Sequence, residues 1–331
     1  MRNIVVNCSD LSKYSSTDTS NIKSIDLRMR HYSLDTVTDI ISFIDKYNLN
    51  TDFVVEYEKL SLDDFLNLKY FNSYLKRERN NDLFVRELFN SYSFCQAYEA
   101  EMKAFKISNR ICEKTESPFE RLILAHDYTS SKLYFENKNP MQGDNDCINF
   151  IGAMTTKSIV CMGYAKIMQK LCSNIGITCF RFEGENSKSH LRGIHSFNIV
   201  HLKDEGYGIN GYYLLDATWN STLSSIGERS YLYLLFPIQD AVADGAHHKK
   251  YLYNRADRIE TAGEYISTPL PAIYSPVVPY TTFKNALHNV YKNNDKAVER
   301  SMIYTTTLAQ EREINGENCF STKQIEKCIE K

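Results

Sequence analysis

Apolar and polar positions follow two different spacings along the first eighty residues, and the change of spacing marks the predicted elements. Residues 24–32 and 53–60 alternate as strands do, whereas 34–50 and 61–76 carry apolar residues three and four positions apart, typical of one helical face. A serine, a good N-cap residue, stands at the start of each helical pattern. This part of the chain is therefore predicted to be α/β in character.

The following part of the chain is predicted to be mainly helical. The pattern favours helices from about 82 to 134, with a break at the Ser117–Pro118 pair, where serine caps and proline fits the first turn. Residues 136–157 are polar and turn-rich and predict a loop. The apolar stripe then predicts a helix over 161–174, which Gly176 ends.

Three strands are predicted after this helix, over 177–184, 195–202 and 211–219. A glycine-bearing connection joins the last two and suits a long hairpin. A helix followed by a run of antiparallel strands is an α+β arrangement. We expect the helix that begins at Cys161 to pack on this sheet.

The tail differs in composition from the rest of the chain. Four of the seven prolines lie within 266–280, which excludes a helix there, and a helical pattern returns over 282–313. Lys323 to Lys331 is predicted to form a last short helix. We therefore predict three parts: an α/β to helical N-terminal region over 1–115, a core over 116–240 and a C-terminal extension over 241–331.

Composition and charge exclude some classes of function. Apolar residues make up 43 % and charged residues 24 % of the 331, as in ordinary globular proteins. The net charge of −2 and the absence of a basic block give no reason to expect a nucleic-acid partner. No apolar run reaches the roughly 18 residues of a membrane span, and Ile4–Val6 is too short for a signal-peptide core. We expect a cytoplasmic protein with no membrane partner.

The nine cysteines are irregularly spaced, and none forms a CxxC pair. Such scattered thiols fit a reducing compartment, and most are expected to be small core residues. The acidic stretch QGDNDC, 142–147, lacks the remaining ligands of a calcium loop. We expect neither a metal site nor a cofactor.

Three residues nevertheless form a chemical pattern. Cys161 stands at the first turn of a predicted helix, His195 opens a strand 34 positions later, and Asp216 follows 21 positions after that. Neighbouring strands lie about 4.8 Å apart, so pairing of the two strands would permit an imidazole–carboxylate hydrogen bond. The helix must then present its N-terminus at the same end of the sheet.

This pattern supplies the parts of a thiol nucleophile. The partial positive charge at a helix N-terminus lowers the pKa of a thiol, and a nearby imidazolium lowers it further. Asp216 would fix the imidazole tautomer, and the backbone N–H of Cys161 would bind the oxyanion. Gly163 would remove bulk beside the thiol. A buried structural cysteine is the alternative, and the ordered histidine and aspartate favour catalysis.

The same residues carry a resemblance to a known family. VCMGYAKIMQKLCSNIGI (160–177), HSFNIV (195–200) and YYLLDATW (212–219) resemble the catalytic core of the transglutaminase-like superfamily, in its bacterial type. FERLILAHDYTSSKLYF (119–135) is similar to the helix that precedes this core. The resemblance covers about 119–236, a third of the chain. It implies a papain-like Cys–His–Asp core, in which Cys161 is the nucleophile, His195 the base and Asp216 the orienting acid.

The chain departs from the family's pattern at one point. Animal transglutaminases place a tryptophan upstream of the nucleophile to hold the oxyanion, whereas the only tryptophan here is Trp219, downstream. Tyr128 or Tyr134 is a candidate for that donor. Trp219 is expected to pack beneath the triad, with a role in the substrate wall as the alternative.

The resemblance implies a cysteine-dependent enzyme that acts on amide bonds of a protein or peptide. The superfamily includes transglutaminases, cysteine peptidases and peptide:N-glycanases, so the fold alone does not fix the reaction. Without the upstream tryptophan or a calcium site, hydrolysis by a peptidase, amidase or deamidase is favoured. Transamidation that crosslinks proteins, and a non-catalytic protein-binding module, remain the alternatives. The oligomeric state is not predicted.

Overall fold

The structure, a computed structural model, divides the chain into two compact units, residues 1–103 and 104–331. The division falls inside one long helix, α3 (Phe94–Lys114). The residues that the structure describes are 2–7, 11, 13, 22–28, 31–135, 145–186, 193–224, 231, 233–238 and 275–292. Among these residues, no helix has the length and apolar character that a membrane crossing requires.

The first unit is built on a five-stranded sheet with its strands in sequence order. The first four strands are parallel and the fifth is antiparallel to the fourth. One helix lies in each of the connections after the second and third strands, so this region is α/β, as its patterning predicts. Its elements are β1 (Arg2–Asn7), β2 (Ile22–Arg28), α1 (Leu34–Lys46), β3 (Asp52–Glu56), α2 (Leu62–Tyr74), β4 (Leu83–Glu87) and β5 (Asn90–Ser93).

The predicted helix is wrong between residues 82 and 93, where the structure has the β4–β5 hairpin. In β4, Leu83, Val85 and Glu87 are buried and the residues between them are half-buried, which is the two-residue period of a strand. The hairpin turn consists of Leu88 and Phe89, which are not turn-forming residues. The sequence therefore offers no turn signal, and without one the apolar pattern of this stretch predicts a helix.

The second unit combines helices with a four-stranded antiparallel sheet in the order β11-β10-β9-β8. A short parallel pair, β6 with β7, lies before the sheet in sequence. The helices and strands together make an α+β unit. Its elements are α4 (Pro118–Lys132), β6 (Tyr134–Phe135), α5 (Phe150–Thr156), β7 (Ser158–Ile159), α6 (Cys161–Asn174), β8 (Thr178–Asn186), β9 (Gly193–Asp204), β10 (Ile209–Leu215), α7 (Ala217–Ser224), β11 (Phe236–Pro237) and α8 (Tyr280–Val290).

Helix α6 spans the residues 161–174 that the apolar stripe predicts, and it lies against β8 and β9. Its apolar stripe is fully buried, with Tyr164, Met168 and Leu171 inaccessible to solvent. The side chain of Asn198 on β9 donates a hydrogen bond to the carbonyl of Ala165, 3.0 Å away. The sheet therefore fixes the helix through both apolar packing and a polar contact.

Two predicted boundaries in this unit are wrong. The predicted strand over 211–219 ends at Leu215, and α7 begins at Ala217 because Asp216 caps it. The predicted loop over 136–157 contains α5, whose first residues Phe150 and Ile151 are buried. Residues 136–144 lie outside the described part of the chain.

Part of the C-terminal extension belongs to the second unit. Residues 275–279 are not helical, and α8 follows them. The ring of Phe283 on α8 lies 5.6 Å from that of Phe119 on α4 and 5.2 Å from that of Tyr231, centroid to centroid. The rest of the helix predicted over 282–313, and the segment from Lys323 to Lys331, lie outside the described residues.

Candidate active site

Cys161 is the first residue of α6 and is half-buried. The residue before it, Val160, has extended backbone and provides no side-chain cap. The first turn of a helix carries N–H groups without partners inside the helix, which favour negative charge nearby. The local structure therefore puts the thiol beside these N–H groups.

Gly163 has a different role from the one expected. A Cβ atom at this position would lie 2.5 Å from the carbonyl oxygen of Cys147 and 3.1 Å from Cβ of Ile159. The same carbonyl accepts a hydrogen bond from the N–H of Val160 at 3.2 Å. Gly163 therefore makes room for the main chain of Cys147, which holds the start of α6 in place.

His195 and Asp216 meet at the end of the β9–β10 pair. Nε2 of His195 lies 2.6 Å from Oδ2 of Asp216, and both side chains are buried. The other oxygen of Asp216, Oδ1, accepts a hydrogen bond from the N–H of Trp219 at 3.1 Å. Asp216 is thus both the partner of the imidazole and the N-cap of α7.

The thiol of Cys161 lies within hydrogen-bonding reach of His195. Because Asp216 occupies Nε2, the nitrogen left for the thiol is Nδ1. The structure therefore brings the three residues together in the order thiol, imidazole, carboxylate. Such an arrangement can pass a proton between the sulfur and the ring while the carboxylate stabilises the charged ring.

The environment of His195 favours the imidazolium form. Burial opposes a charge on the ring, but the charge and hydrogen bond of Asp216, followed by those of Cys161, outweigh it and raise the pKa of His195 to about 10. The ring is therefore charged at neutral pH. A thiolate beside it would be part of an ion pair.

Two aromatic rings lie nearly parallel to this imidazole. The centroid of Trp219 is 5.1 Å away with an interplanar angle of 18°, and that of Phe197 is 6.1 Å away with an angle of 22°. Tyr233 in turn packs edge-on against Trp219 at 4.9 Å. An aromatic face attracts a cation at the distance of Trp219, and both rings limit the movement of the imidazole.

The structure describes the side chain of only one of the two tyrosine candidates for the oxyanion donor. Tyr128 is half-buried on α4, and burial raises the pKa of its phenol. Within the described residues, no hydrogen bond links Tyr128 to Cys161 or His195. The side chain of Tyr134 lies outside what the structure describes. Their roles as oxyanion donors stay predictions, as does a role of Trp219 in the substrate wall.

Sequence reasoning missed a second buried polar group in this unit. His126 on α4 is fully buried, and its Nε2 lies 2.8 Å from Nδ2 of Asn220 on α7. His126 lies on the apolar stripe that includes Phe119, Leu122 and Ile123. A histidine in such a stripe requires a hydrogen-bond partner, and that signal could have revealed it.

Metal binding gains no candidate from the structure. Among the described residues, no group of three or more His, Cys, Asp or Glu side chains could hold a metal ion. Residues 145–147 of the acidic stretch belong to a 3₁₀ turn, Asn145–Ile148, in which Cys147 is buried. The expectations of no metal and no cofactor stay predictions.

Comparison with known proteins gives few matches. No protein-family model and no curated protein matches the sequence. Among solved structures, the chain is similar to a candidate cysteine protease from Cytophaga hutchinsonii, with 17 % identity over 36 % of this chain and 37 % of that chain and a TM-score of 0.27. It is also similar to a transglutaminase (TGase), with 12 % identity over 45 % of this chain and 36 % of that chain and a TM-score of 0.30. The chain thus spans little more than a third of the length of either structure.

Proposed function

We propose that this chain is a cysteine-dependent enzyme that hydrolyses amide bonds of a protein or peptide through an acyl-enzyme on Cys161. One observation carries the proposal. A buried carboxylate holds an imidazole at 2.6 Å, and the thiol at the start of a helix lies within hydrogen-bonding reach of the same ring. The α+β core, in which this helix lies against an antiparallel sheet, supports the papain-like arrangement that the sequence resemblance implies.

The first half of the reaction forms the acyl-enzyme. The Cys161 thiolate attacks the amide carbonyl and forms a C–S bond, and the backbone N–H of Cys161 stabilises the oxyanion. The C–N bond then breaks, and the leaving nitrogen takes a proton from His195. Asp216 keeps the ring in position throughout.

The second half releases the product. Neutral His195 takes a proton from water, whose oxygen attacks the thioester, and the C–S bond breaks to give a carboxylic acid. An amine in place of the water would give a transamidated product by the same steps. The two reactions therefore share the acyl-enzyme and differ only in the acceptor.

The decisive experiment is the pH dependence of alkylation by iodoacetamide, read by mass spectrometry. We expect Cys161 to be labelled fast well below pH 8, and the labelling to slow in His195→Ala. Cys112, which is also half-buried, is the internal control. His201→Ala is the matched variant, because His201 lies half-buried on the same strand and stacks on Tyr212. Labelling of Cys161 no faster than that of Cys112 would favour a non-catalytic binding module.

Turnover is tested with dye-labelled peptide libraries, with and without a primary amine. We expect cleavage or deamidation in wild type and none in Cys161→Ala. Amine incorporation that exceeds hydrolysis would move the proposal to transamidation. Turnover that persists in Cys161→Ala would exclude this cysteine as the nucleophile.

A further inference from the structure

A second cluster of buried polar groups is joined to Asp216 through α7. His126 and its neighbour Asp127 lie on α4, Asn220 lies on α7, and Tyr231 and Tyr233 lie in the segment before β11. His126 and Asn220 are completely inaccessible to solvent. Buried polar groups of this kind are costly unless their hydrogen bonds are made, so their arrangement is specified.

The hydrogen bonds fix the chemical form of His126. Oδ1 of Asn220 accepts from the N–H of Tyr233 at 3.1 Å, so the amide presents its NH₂ group to His126. Nε2 of His126 must then accept, and the ring carries its proton on Nδ1, which faces Oδ1 of Asp127 at 3.4 Å. Oδ2 of Asp127 accepts from the hydroxyls of Tyr231, at 3.0 Å, and Tyr291.

Asn220 and Tyr233 also hold the main chain of Asp216. The N–H of Asp216 donates to the carbonyl of Tyr233 at 2.9 Å, and the carbonyl of Asp216 accepts from the N–H of Asn220 at 3.2 Å. The two residues that bond to the Asp216 backbone are thus joined to each other, because the Asn220 side chain accepts from Tyr233. His126 fixes that side chain from the neighbouring helix.

We propose that His126 is a positioning residue for Asp216. By accepting from Asn220, it fixes the turn that directs Oδ2 of Asp216 at Nε2 of His195. Loss of the acceptor would remove a hydrogen bond from a buried NH₂ group, and the first turn of α7 would shift in response. A shift of this kind lengthens the 2.6 Å bond between Asp216 and His195. A purely structural histidine would change stability alone, and would leave the proton affinity of His195 as it is.

The test is an NMR titration of the His195 ring in the full chain. His126→Phe keeps the ring volume but removes the acceptor, whereas His126→Gln keeps an acceptor. Wild type is expected to titrate near pH 10, and His126→Phe about one pH unit or more lower, since the carboxylate is what favours the charged ring. His126→Gln should recover most of the difference.

Thr129→Val is the matched control. Thr129 is equally buried on α4, and its hydroxyl donates to the carbonyl of Ala125 on the same helix at 2.9 Å. This variant should titrate as wild type does. An equal drop in Thr129→Val, or an unchanged titration in a folded His126→Phe, would overturn the proposal. If His126→Phe does not fold, Asn220→Ser breaks the same link from α7 and must give the same drop.

The inference rests on the proposed function only for its effect on turnover. The titration reports the placement of Asp216 whether or not Cys161 reacts. Slow labelling of Cys161 in wild type would therefore end the proposed function without touching the role of His126. An unshifted titration in His126→Phe, together with fast labelling of Cys161 that depends on His195, would exclude the role of His126 and leave the proposed function standing.

Discussion

His195 keeps its proton far above the pH at which an ordinary histidine loses it. Burial alone would have the opposite effect, and the charge and hydrogen bond of Asp216 are the first of the interactions that reverse it. The nearly parallel ring of Trp219, 5.1 Å away, acts in the same direction, since an aromatic face attracts a cation. The charge state of the His195 ring therefore depends on a carboxylate, a thiol and the face of Trp219.

This ring should make stability depend on pH. The pKa of His195 is about 10 in the folded chain and about 6.5 in an unfolded one. Its contribution is therefore full below pH 6.5 and is lost as pH rises to about 10, because the folded state binds the extra proton. We expect the unfolding free energy of wild type, minus that of His195→Gln, to fall between pH 6.5 and 10. Urea denaturation across this range measures it, and a difference that stays constant would contradict the raised pKa.

The three residues of the candidate site could be predicted because each has a local signal. A cysteine at a helix start and two polar residues at strand ends stand out against apolar patterns. Trp219 packs against His195, in keeping with the expected packing beneath the triad, because it closely follows Asp216 in sequence. The hydrogen bond between His126 and Asn220 could not be assigned from local patterns, because it joins two distant helices. Of the predicted donors, Tyr128 carries no such local signal, and its role stays untested.

At the scale of elements, the start of α6 is fixed by the main chain of Cys147. Gly163 allows the approach, and Val160 donates to the same carbonyl. The other end of the helix is closed by Gly176, which has φ +80° and no atom near the place of a Cβ. The two glycines therefore serve different needs, close packing at one end and backbone conformation at the other.

Alanine at these glycines should separate stability from reactivity. Gly163→Ala forces the Cys147 turn or the first turn of α6 to move, at a cost of about 1–3 kcal/mol. Gly176→Ala costs about 1–2 kcal/mol through its left-handed backbone. We expect both variants to lose stability by denaturation, and only Gly163→Ala to slow the alkylation of Cys161. Equal labelling in the two variants would mean that the Cys147 contact does not position the thiol.

The type of an element could be predicted where the apolar period is long and regular, as in α6. The prediction failed where a polar N-cap residue decides where a strand ends. The YYLLDATW run continues an apolar pattern past Leu215, so a strand was predicted to Trp219. Asp216 ends the strand because its carboxylate accepts a hydrogen bond from the N–H of Trp219. Asp216 is therefore the N-cap of α7. The hairpin of β4 and β5 could not be predicted, because its turn contains no turn-forming residue that would mark the break between the two strands.

At the scale of the whole molecule, the described C-terminal segment belongs to the unit that carries the candidate site. Ser275 donates to the carbonyl of Tyr212 and accepts from the N–H of Ile238 at 3.1 Å. Pro276 packs on Gly211, and the hydroxyl of Tyr291 donates to the Asp127 carboxylate. These contacts join a segment distant in sequence to β10 and α4. The three-part division at 115 and 240 stays a prediction.

The docking of α8 should therefore contribute to the stability of the second unit. Phe283 is buried between the rings of Phe119 and Tyr231, so Phe283→Ala is expected to cost about 3–5 kcal/mol through lost burial and a cavity. Val277, in the same segment but 38 % exposed, is the control, and Val277→Ala should change stability by less than about 0.5 kcal/mol. Urea denaturation followed by circular dichroism measures both. If Phe283→Ala unfolds at the wild-type urea midpoint, α8 does not contribute to the stability of the second unit. A lower midpoint means that the core of this unit completes its packing only with residues far along the chain.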